Sequence, residues 1–184
     1  MTFDPFGDFA TEGYLRNFER EKDLAIVKRA ENASFTTSLD EAFAYLAKSK
    51  VLTYGDVLTT HNILFGAVYP WAGRDRGQTT PKLTIKKGAV IFANAPEIRA
   101  AVEHALRKGQ DKAYMKAKPG EIMGYLAYGH PFLDGNGRTV MAVHSVLAQR
   151  AGFSIDWSAT KKDAYLDALT KEIDLPRKAI STPI

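Results

Sequence analysis

The sequence predicts an all-α domain, mainly helical, that carries one small β-hairpin. Two observations predict this fold class. Apolar residues recur at helical spacing along most of the chain, whereas residues 82–92 alternate apolar and polar side chains. A chain of 184 residues, 45% of them hydrophobic, can also bury a core of its own. We therefore expect residues 1–184 to form a single domain.

The N-terminal part, residues 11–48, is expected to supply helices that act as scaffold. Residues 11–31 hold apolar positions that can form a buried stripe along one long helix. Ser38 and Glu41 then have the spacing of a capping box, which predicts the start of a second helix.

A third helix is predicted after Thr53, which can cap it together with Asp56. His61 lies on its inner face. We favour a core position over a catalytic role for His61, because no carboxylate or second histidine stands at metal-ligand spacing. Pro70 breaks this helix, and Trp71 is expected to anchor the packing after it.

The alternating segment predicts a hairpin that could act as a docking flap. An isolated hairpin is marginally stable, so it is not expected to form the core. Its edge could instead pair with an extended peptide, and the alternative is a surface hairpin without function. The flap residues are Lys82, Leu83, Thr84, Ile85, Lys86, Lys87 and Gly88.

Further helices are predicted between Pro96 and Gly109 and between Thr160 and Pro176. Two more, almost free of charge, flank residues 130–138, and they read as buried helices.

Residues 130–138, H-P-F-L-D-G-N-G-R, concentrate the chemistry of the chain. An ordinary histidine has a side-chain pKa near neutrality, which makes His130 the candidate general base. Asp134 offers hard oxygen ligands of the kind Mg²⁺ uses when phosphates complete its shell. Backbone N–H groups at a helix start can converge on phosphate oxygens, and a planar arginine adds charge. The candidate phosphate-binding residues are Gly135, Asn136, Gly137 and Arg138.

Composition excludes several classes of function. The chain has no cysteine, which excludes disulfides and thiolate chemistry. The net charge is +4, but the basic residues are scattered, so we expect no direct binding to nucleic acid. No apolar run reaches membrane-spanning length and no signal peptide is recognisable, so we expect no membrane partner and a cytoplasmic protein, with delivery as an effector left open.

The motif at residues 130–138 resembles the signature of Fic-domain proteins, H-x-F-x-[D/E]-G-N-G-R-x-x-R. The Y-P-W-A-G segment at residues 69–73, with Arg76, is similar to a second segment of that family. The resemblance covers about residues 55–175 and implies the helical Fic fold with a target-docking flap. It also implies a protein adenylyltransferase, which transfers AMP from ATP, with Mg²⁺, to a Ser, Thr or Tyr hydroxyl of a target protein. His130 would be the base, Asp134 the magnesium ligand and residues 135–138 the phosphate site.

The chain departs from the signature at Met141, which stands where the family has a second arginine. That arginine contacts the terminal phosphate in the family, so another donor, such as UTP or CDP-choline, and a non-catalytic nucleotide-binding module are the alternatives. Glu41 overlaps an inhibitory pattern of the family, but Ala42 breaks the pattern, so we expect no autoinhibition by that route. A separate antitoxin protein is then a candidate partner.

Overall fold

The computed structural model describes residues 2–88 and 90–180, and it confirms a mostly helical fold with a small antiparallel hairpin. The elements in chain order are α1 (Phe9–Glu12), a 3-10 turn (Tyr14–Arg16), α2 (Leu24–Lys48), α3 (Tyr54–Phe65), α4 (Arg76–Thr79), β1 (Lys86–Lys87), β2 (Val90–Ile91), α5 (Ala95–Gln110), α6 (Lys112–Ala117), α7 (Pro119–Gly129), α8 (Asn136–Ala151) and α9 (Lys162–Ile180). Among the described residues, none of the helices has the length and apolarity needed to cross a membrane.

Helix α7 lies at the centre and packs against α5, α8 and α9. Its contact with α9 depends on Gly124. A Cβ atom at that position would lie 2.7 Å from the Cβ of Glu172, which real Cβ atoms essentially never do. The absence of a side chain at Gly124 therefore lets α9 approach α7 closely, and this close packing fixes α9 beside the loop that follows α7.

The predicted start of α3 is confirmed. The Thr53 hydroxyl accepts a bond from the Asp56 backbone, and the Asp56 carboxylate accepts one from the Thr53 N–H at 2.7 Å. His61 is fully buried, as expected of a core histidine. Trp71 is 4% exposed and its indole N–H donates to the Leu15 carbonyl at 2.7 Å, which confirms its role as a packing anchor.

The prediction of one helix over residues 11–31 is wrong. The helix is interrupted at Gly13, which has φ +72°. A Cβ atom added at Gly13 would lie 2.4 Å from the backbone of Arg20. Asn17 then binds the loop by donating to the Tyr14 carbonyl at 3.0 Å and to the Glu21 carbonyl at 2.8 Å. Asparagine side chains compete in this way with helical hydrogen bonds, so the long helix begins only at α2.

Two further boundaries are also wrong. Ser38 and Glu41 lie inside α2 and do not open a helix, because α2 continues from Leu24 to Lys48. A capping box has the same residue pattern as an ordinary polar stretch on an exposed helix face. Helix α9 runs past Pro176, which the sequence predicts as its end. Proline removes one backbone donor but does not always end a helix, and α9 continues to Ile180.

The hairpin is confirmed, although its strands are two residues long. Lys86 pairs with Ile91 and Lys87 with Val90. Ile85 and Val90 are buried, whereas Lys86 and Lys87 are exposed, so the alternation predicted from the sequence is present in the structure.

Candidate active site

His130 lies between α7 and α8, where it caps α7 in the left-handed conformation, with φ 40° and ψ 56°. His130 is only 6% exposed, and its ring packs on Phe92, the residue that follows β2 of the hairpin, with 4.1 Å between ring centroids. The hairpin and the end of α7 therefore position the imidazole together.

Arg76 fixes the backbone on both sides of this contact. Its side chain is fully buried and its hydrogen bonds go to backbone carbonyls. Nε donates to the His130 carbonyl at 2.8 Å, and the two terminal nitrogens donate to Leu83 at 3.2 Å and Ala93 at 2.6 Å. One guanidinium thus joins the loop that carries His130 to both ends of the hairpin.

Burial lowers the pKa of His130 well below its ordinary value of 6.5, and the nearby positive charges of Lys87 and Arg76 lower it further. The imidazole is therefore neutral at pH 7. A neutral imidazole can accept a proton, which is what a general base requires.

A cavity of about 890 Å³ opens beside His130 and the start of α8. Thr84, Ile85, Lys86 and Lys87 of the predicted flap line it, whereas Lys82, Leu83 and Gly88 lie outside it. Helix α9 forms another part of the wall, which the sequence did not indicate. Its lining residues are Tyr165, Leu166, Leu169, Thr170 and Ile173.

The predicted phosphate site lies at the N-terminus of α8, on the same cavity. Gly135 caps the helix with φ +74°, and a Cβ there would lie 2.6 Å from the Phe65 ring. The first N–H groups of a helix have no acceptor within it and attract anions. Asn136 contributes differently from expectation: its side chain donates to the Phe132 carbonyl at 2.7 Å and accepts from the Phe132 N–H at 2.9 Å. The side-chain amide of Asn136 therefore holds the loop in place, and only its backbone N–H is left to bind an anion.

Asp134 lines the same cavity, and its carboxylate is held on both oxygens. Oδ1 accepts the Gly135 N–H at 2.7 Å. Oδ2 accepts from the Lys28 ammonium and from the Tyr14 hydroxyl, the latter at 3.4 Å. Burial raises the pKa of this carboxyl, but Lys28, Gly135 and Arg138 outweigh that effect and hold the pKa below its usual value. Asp134 is therefore ionised at pH 7.

Glu31 is a buried carboxylate that the sequence analysis missed. It is 0% exposed and accepts hydrogen bonds from the Tyr69 hydroxyl, from Lys28 and, at 2.7 Å, from Arg138. Arg138 also stacks over Phe65, with 4.6 Å between guanidinium carbon and ring centroid. The predicted phosphate-binding arginine therefore enters the cavity from a fixed position, with one face on Phe65 and one amino group on Glu31.

Two other residues complete the loop geometry. Nε2 of His61 lies 3.1 Å from the Asp134 carbonyl oxygen, and Nδ1 of His61 accepts a hydrogen bond from the Gly73 N–H at 3.0 Å. The Gly73 bond leaves the proton on Nε2, so His61 is the donor to Asp134. Met141 lines the cavity on α8, which places the apolar side chain that replaces the second arginine beside the phosphate site.

A family model described as the Fic/DOC family matches residues 51–148, which is more than half of the chain. The chain belongs to the Fic/DOC family. The match covers α3, the hairpin, α7 and most of α8, and it therefore includes every predicted site residue from Lys82 to Arg138. Lys28, Glu31 and α9 lie outside the match.

Two relatives carry names that state an activity. The Fic domain is 34% identical over 164 residues to protein adenylyltransferase VbhT of Bartonella schoenbuchensis, covering 86% of this chain and 34% of that protein. It is 28% identical over 129 residues to the probable protein adenylyltransferase y4lH of Sinorhizobium fredii, covering 65% of each chain. The chain therefore spans about one third and about two thirds of the length of these relatives.

Solved structures share the fold. BepC from Bartonella tribocorum, crystallised with bound AMPPNP, aligns with a TM-score of 0.63 at 20% identity, over 84% of this chain and 83% of that one. The N-terminal Fic domain of a Bep effector protein from Bartonella sp. AR 15-3 aligns with a TM-score of 0.67 at 15% identity, over 90% of this chain and 89% of that one. The Fic fold predicted from the sequence is confirmed.

The buried histidines of this Fic domain predict that its stability falls below pH 6.5. Burial lowers the pKa of His61 from 6.5 to about 3. The unfolded chain therefore binds more protons than the folded one below pH 6.5, so stability is complete above that pH and is lost as the pH falls toward 3. At pH 5 we expect His61 alone to cost about 2 kcal/mol of unfolding free energy. Thermal melts between pH 7.5 and 5 measure this.

The matched variant is His61→Gln, which removes the titrating group. Its melting temperature is expected to start lower, because the stacking of His61 on Phe132, at 3.7 Å between centroids, is lost. The decline from pH 6.5 to 5 should be shallower than in the wild type. An equally steep decline would assign the acid sensitivity to other groups.

Proposed function

We propose that this Fic domain is a protein adenylyltransferase, which transfers AMP from ATP to a Ser, Thr or Tyr hydroxyl of a target protein. The observation that carries the proposal is that one cavity is lined by neutral, buried His130, by the start of α8 and by the Asp134 carboxylate. The names of the two relatives, both protein adenylyltransferases, support the same reaction.

His130 would take the proton of the target hydroxyl as the oxygen attacks the α-phosphorus of ATP. A bond forms between that oxygen and the phosphorus, the bond to the oxygen bridging the β-phosphate breaks, and pyrophosphate leaves. The N–H groups in the first turn of α8 and the Arg138 guanidinium would stabilise the charge on the phosphates. This assignment gives each residue a task that its position in the cavity allows.

Asp134 has the properties of a magnesium ligand. Its Oδ2 already accommodates a cation, the Lys28 ammonium, and its pKa is held low enough to keep it ionised. Within residues 2–88 and 90–180, no cluster of three or more His, Cys, Asp or Glu side chains could hold a metal ion alone. One carboxylate completed by nucleotide phosphates is a usual arrangement for Mg²⁺, which would neutralise phosphate charge.

The target would dock on the hairpin. Each strand of a two-stranded sheet has a free edge, which can pair with an extended segment through main-chain hydrogen bonds. Lys86 and Lys87 lie in β1 and line the cavity, while Phe92, just after β2, packs on His130. A segment paired with this hairpin would therefore lie within reach of the base.

Intact-protein mass spectrometry tests the proposal. The domain is incubated with Mg²⁺ and each of ATP, UTP, GTP and CDP-choline, alone and with a cell extract. We expect a mass increment of one AMP on a protein with ATP, and its loss in Asp134→Asn, which keeps the side-chain shape but removes the metal-binding charge. An increment of UMP or phosphocholine would overturn ATP as the donor, and nucleotide binding without any increment would support a non-catalytic module.

A separate antitoxin protein remains a proposed partner. Glu41 is exposed on α2, so the route of autoinhibition considered from the sequence has no support in its position. Growth arrest on expression of the domain, relieved by a co-expressed neighbouring gene product, is the expected result. Unimpaired growth of cells that express the active domain would remove the antitoxin from the proposal.

A further inference from the structure

Lys28 reaches the candidate active site from α2, which precedes the family match. Its ammonium donates to both oxygens of Glu31, at 3.1 and 3.0 Å, and to Oδ2 of Asp134. All three N–H bonds of an ammonium are thereby used. Lys28 is thus the cation that joins the two carboxylates of the site.

Oδ1 of Asp134 accepts the Gly135 N–H, so Oδ2, the oxygen that Lys28 binds, is the one left for a divalent cation. A lysine ammonium and a metal ion cannot share that position, because two positive charges at contact distance repel strongly. Glu31 is 0% exposed, whereas the Lys28 side chain is 39% exposed. Lys28 therefore has the freedom to move, and Glu31 does not.

We propose that Lys28 is a further residue of the reaction centre. When a divalent cation binds Asp134, the Lys28 ammonium gives up its hydrogen bond to that carboxylate and donates one to the phosphates of the nucleotide instead. The inference rests on the proposed function, since it needs Asp134 as the metal ligand. Only one of the three hydrogen bonds changes partner, because the two bonds to Glu31 can remain. Glu31 stays in place during this exchange and keeps its hydrogen bonds from Tyr69 and Arg138.

The charges of the cluster favour this exchange. Asp134 and Glu31 carry two negative charges, and Lys28 and Arg138 carry two positive ones, so the cluster is formally neutral. A metal–nucleotide complex brings net negative charge with its phosphates, which attracts an ammonium released nearby. On α8 the position of Met141 offers no charge for that purpose. Lys28 supplies a cation from α2, through its contact with Asp134.

The first measurement is metal binding without nucleotide. Mn²⁺ is titrated into the isotope-labelled domain, and the paramagnetic broadening of the amide signals of residues 134–138 gives the affinity. In Lys28→Met we expect Mn²⁺ to bind about fivefold more tightly or better, because the competing ammonium is gone. Lys48→Met removes the same charge at the far end of α2 and should bind Mn²⁺ as the wild type does.

The second measurement is nucleotide binding at saturating Mg²⁺, by calorimetry, with an ATP analogue that has a methylene group between the α- and β-phosphates. Lys28→Met is expected to bind it about tenfold more weakly, because a charge-assisted hydrogen bond is lost. Lys28→Arg retains a cation and should restore most of the affinity. Opposite changes in the two affinities are the signature of the exchange, and general loss of structure would weaken both.

Unchanged or weaker Mn²⁺ binding in Lys28→Met would overturn the competition at Asp134. Tighter Mn²⁺ binding with unchanged affinity for the analogue would overturn the transfer to phosphate. Asp134→Asn separates this inference from the proposed function. If that variant binds Mn²⁺ as the wild type does, the metal site itself is misplaced; if it loses Mn²⁺ while Lys28→Met matches the wild type, only the role of Lys28 fails.

Discussion

Replacement of His130 by alanine is expected to reduce AMP transfer about a thousandfold or more while the domain stays folded. A positioned general base typically contributes a factor of 10² to 10⁴. His130 is neutral at pH 7 because burial lowers its pKa. Its carbonyl, which Arg76 binds at 2.8 Å, is untouched by the substitution. Transfer to the target is followed by mass spectrometry, and folding by the melting temperature.

A second variant guards against a local change of backbone. His130 has φ 40°, a conformation that asparagine tolerates better than alanine does. His130→Asn should be as inactive as His130→Ala and melt closer to the wild type. His104→Ala removes a histidine that packs on Tyr125 and does not line the cavity, and it should retain transfer. Full transfer by either His130 variant would remove this residue from the mechanism.

Replacement of Arg76 by alanine is expected to destabilise the domain by about 3 to 5 kcal/mol. The side chain is fully buried, and its loss would leave the carbonyls of His130, Leu83 and Ala93 without their donor and open a cavity. Lysine is not expected to rescue the variant, because a single ammonium cannot reproduce the planar fork of a guanidinium. Chemical denaturation measures the loss.

Arg74 gives the matched control for this variant. It is exposed and lies two residues earlier in the same segment, so Arg74→Ala should change the unfolding free energy by no more than about 0.5 kcal/mol. Where the Arg76 variants remain folded, at low temperature, their transfer rate should also be reduced, because the base and the hairpin lose their common support. A stability loss below 1 kcal/mol in Arg76→Ala would contradict the role described for this side chain.

Most of the core helices could be predicted, because several local signals agree. For α3, the capping pair Thr53 and Asp56 and the helical spacing after it indicate the same start, and the structure has it, although the helix ends at Phe65, before Pro70. The N-terminal segment differs, since Gly13 and the side-chain bonds of Asn17 end a helix that the apolar pattern allows. Ser38 illustrates the opposite error, in which a capping pattern stands inside a continuous helix.

Only part of the candidate site could be predicted from the sequence. Residues 130–138 are contiguous, so the sequence could predict them as one site, and the structure brings His130, Asp134 and Arg138 to one cavity. Lys28 and Glu31 are more than one hundred residues away from Asp134 and Arg138, their partners. No spacing rule connects positions so far apart. In the sequence, Lys28 and Glu31 look like an ordinary i,i+3 ion pair on a helix surface, and the burial of Glu31 is known only from the fold.

The hydrogen bonds from Arg76 to three backbone carbonyls matter for directing this domain to another target. Both ends of the hairpin and the backbone of His130 are anchored through main-chain atoms, so the anchorage does not depend on which side chains the hairpin carries. If the hairpin docks the target as proposed, the exposed positions 84 and 86 can be randomised in a library while the distance from hairpin to imidazole is preserved, whereas Lys87 is kept because its charge helps to lower the pKa of His130. In the proposed function, the residues that select the target and the residue that takes the proton are then separate groups, and Arg76 connects them.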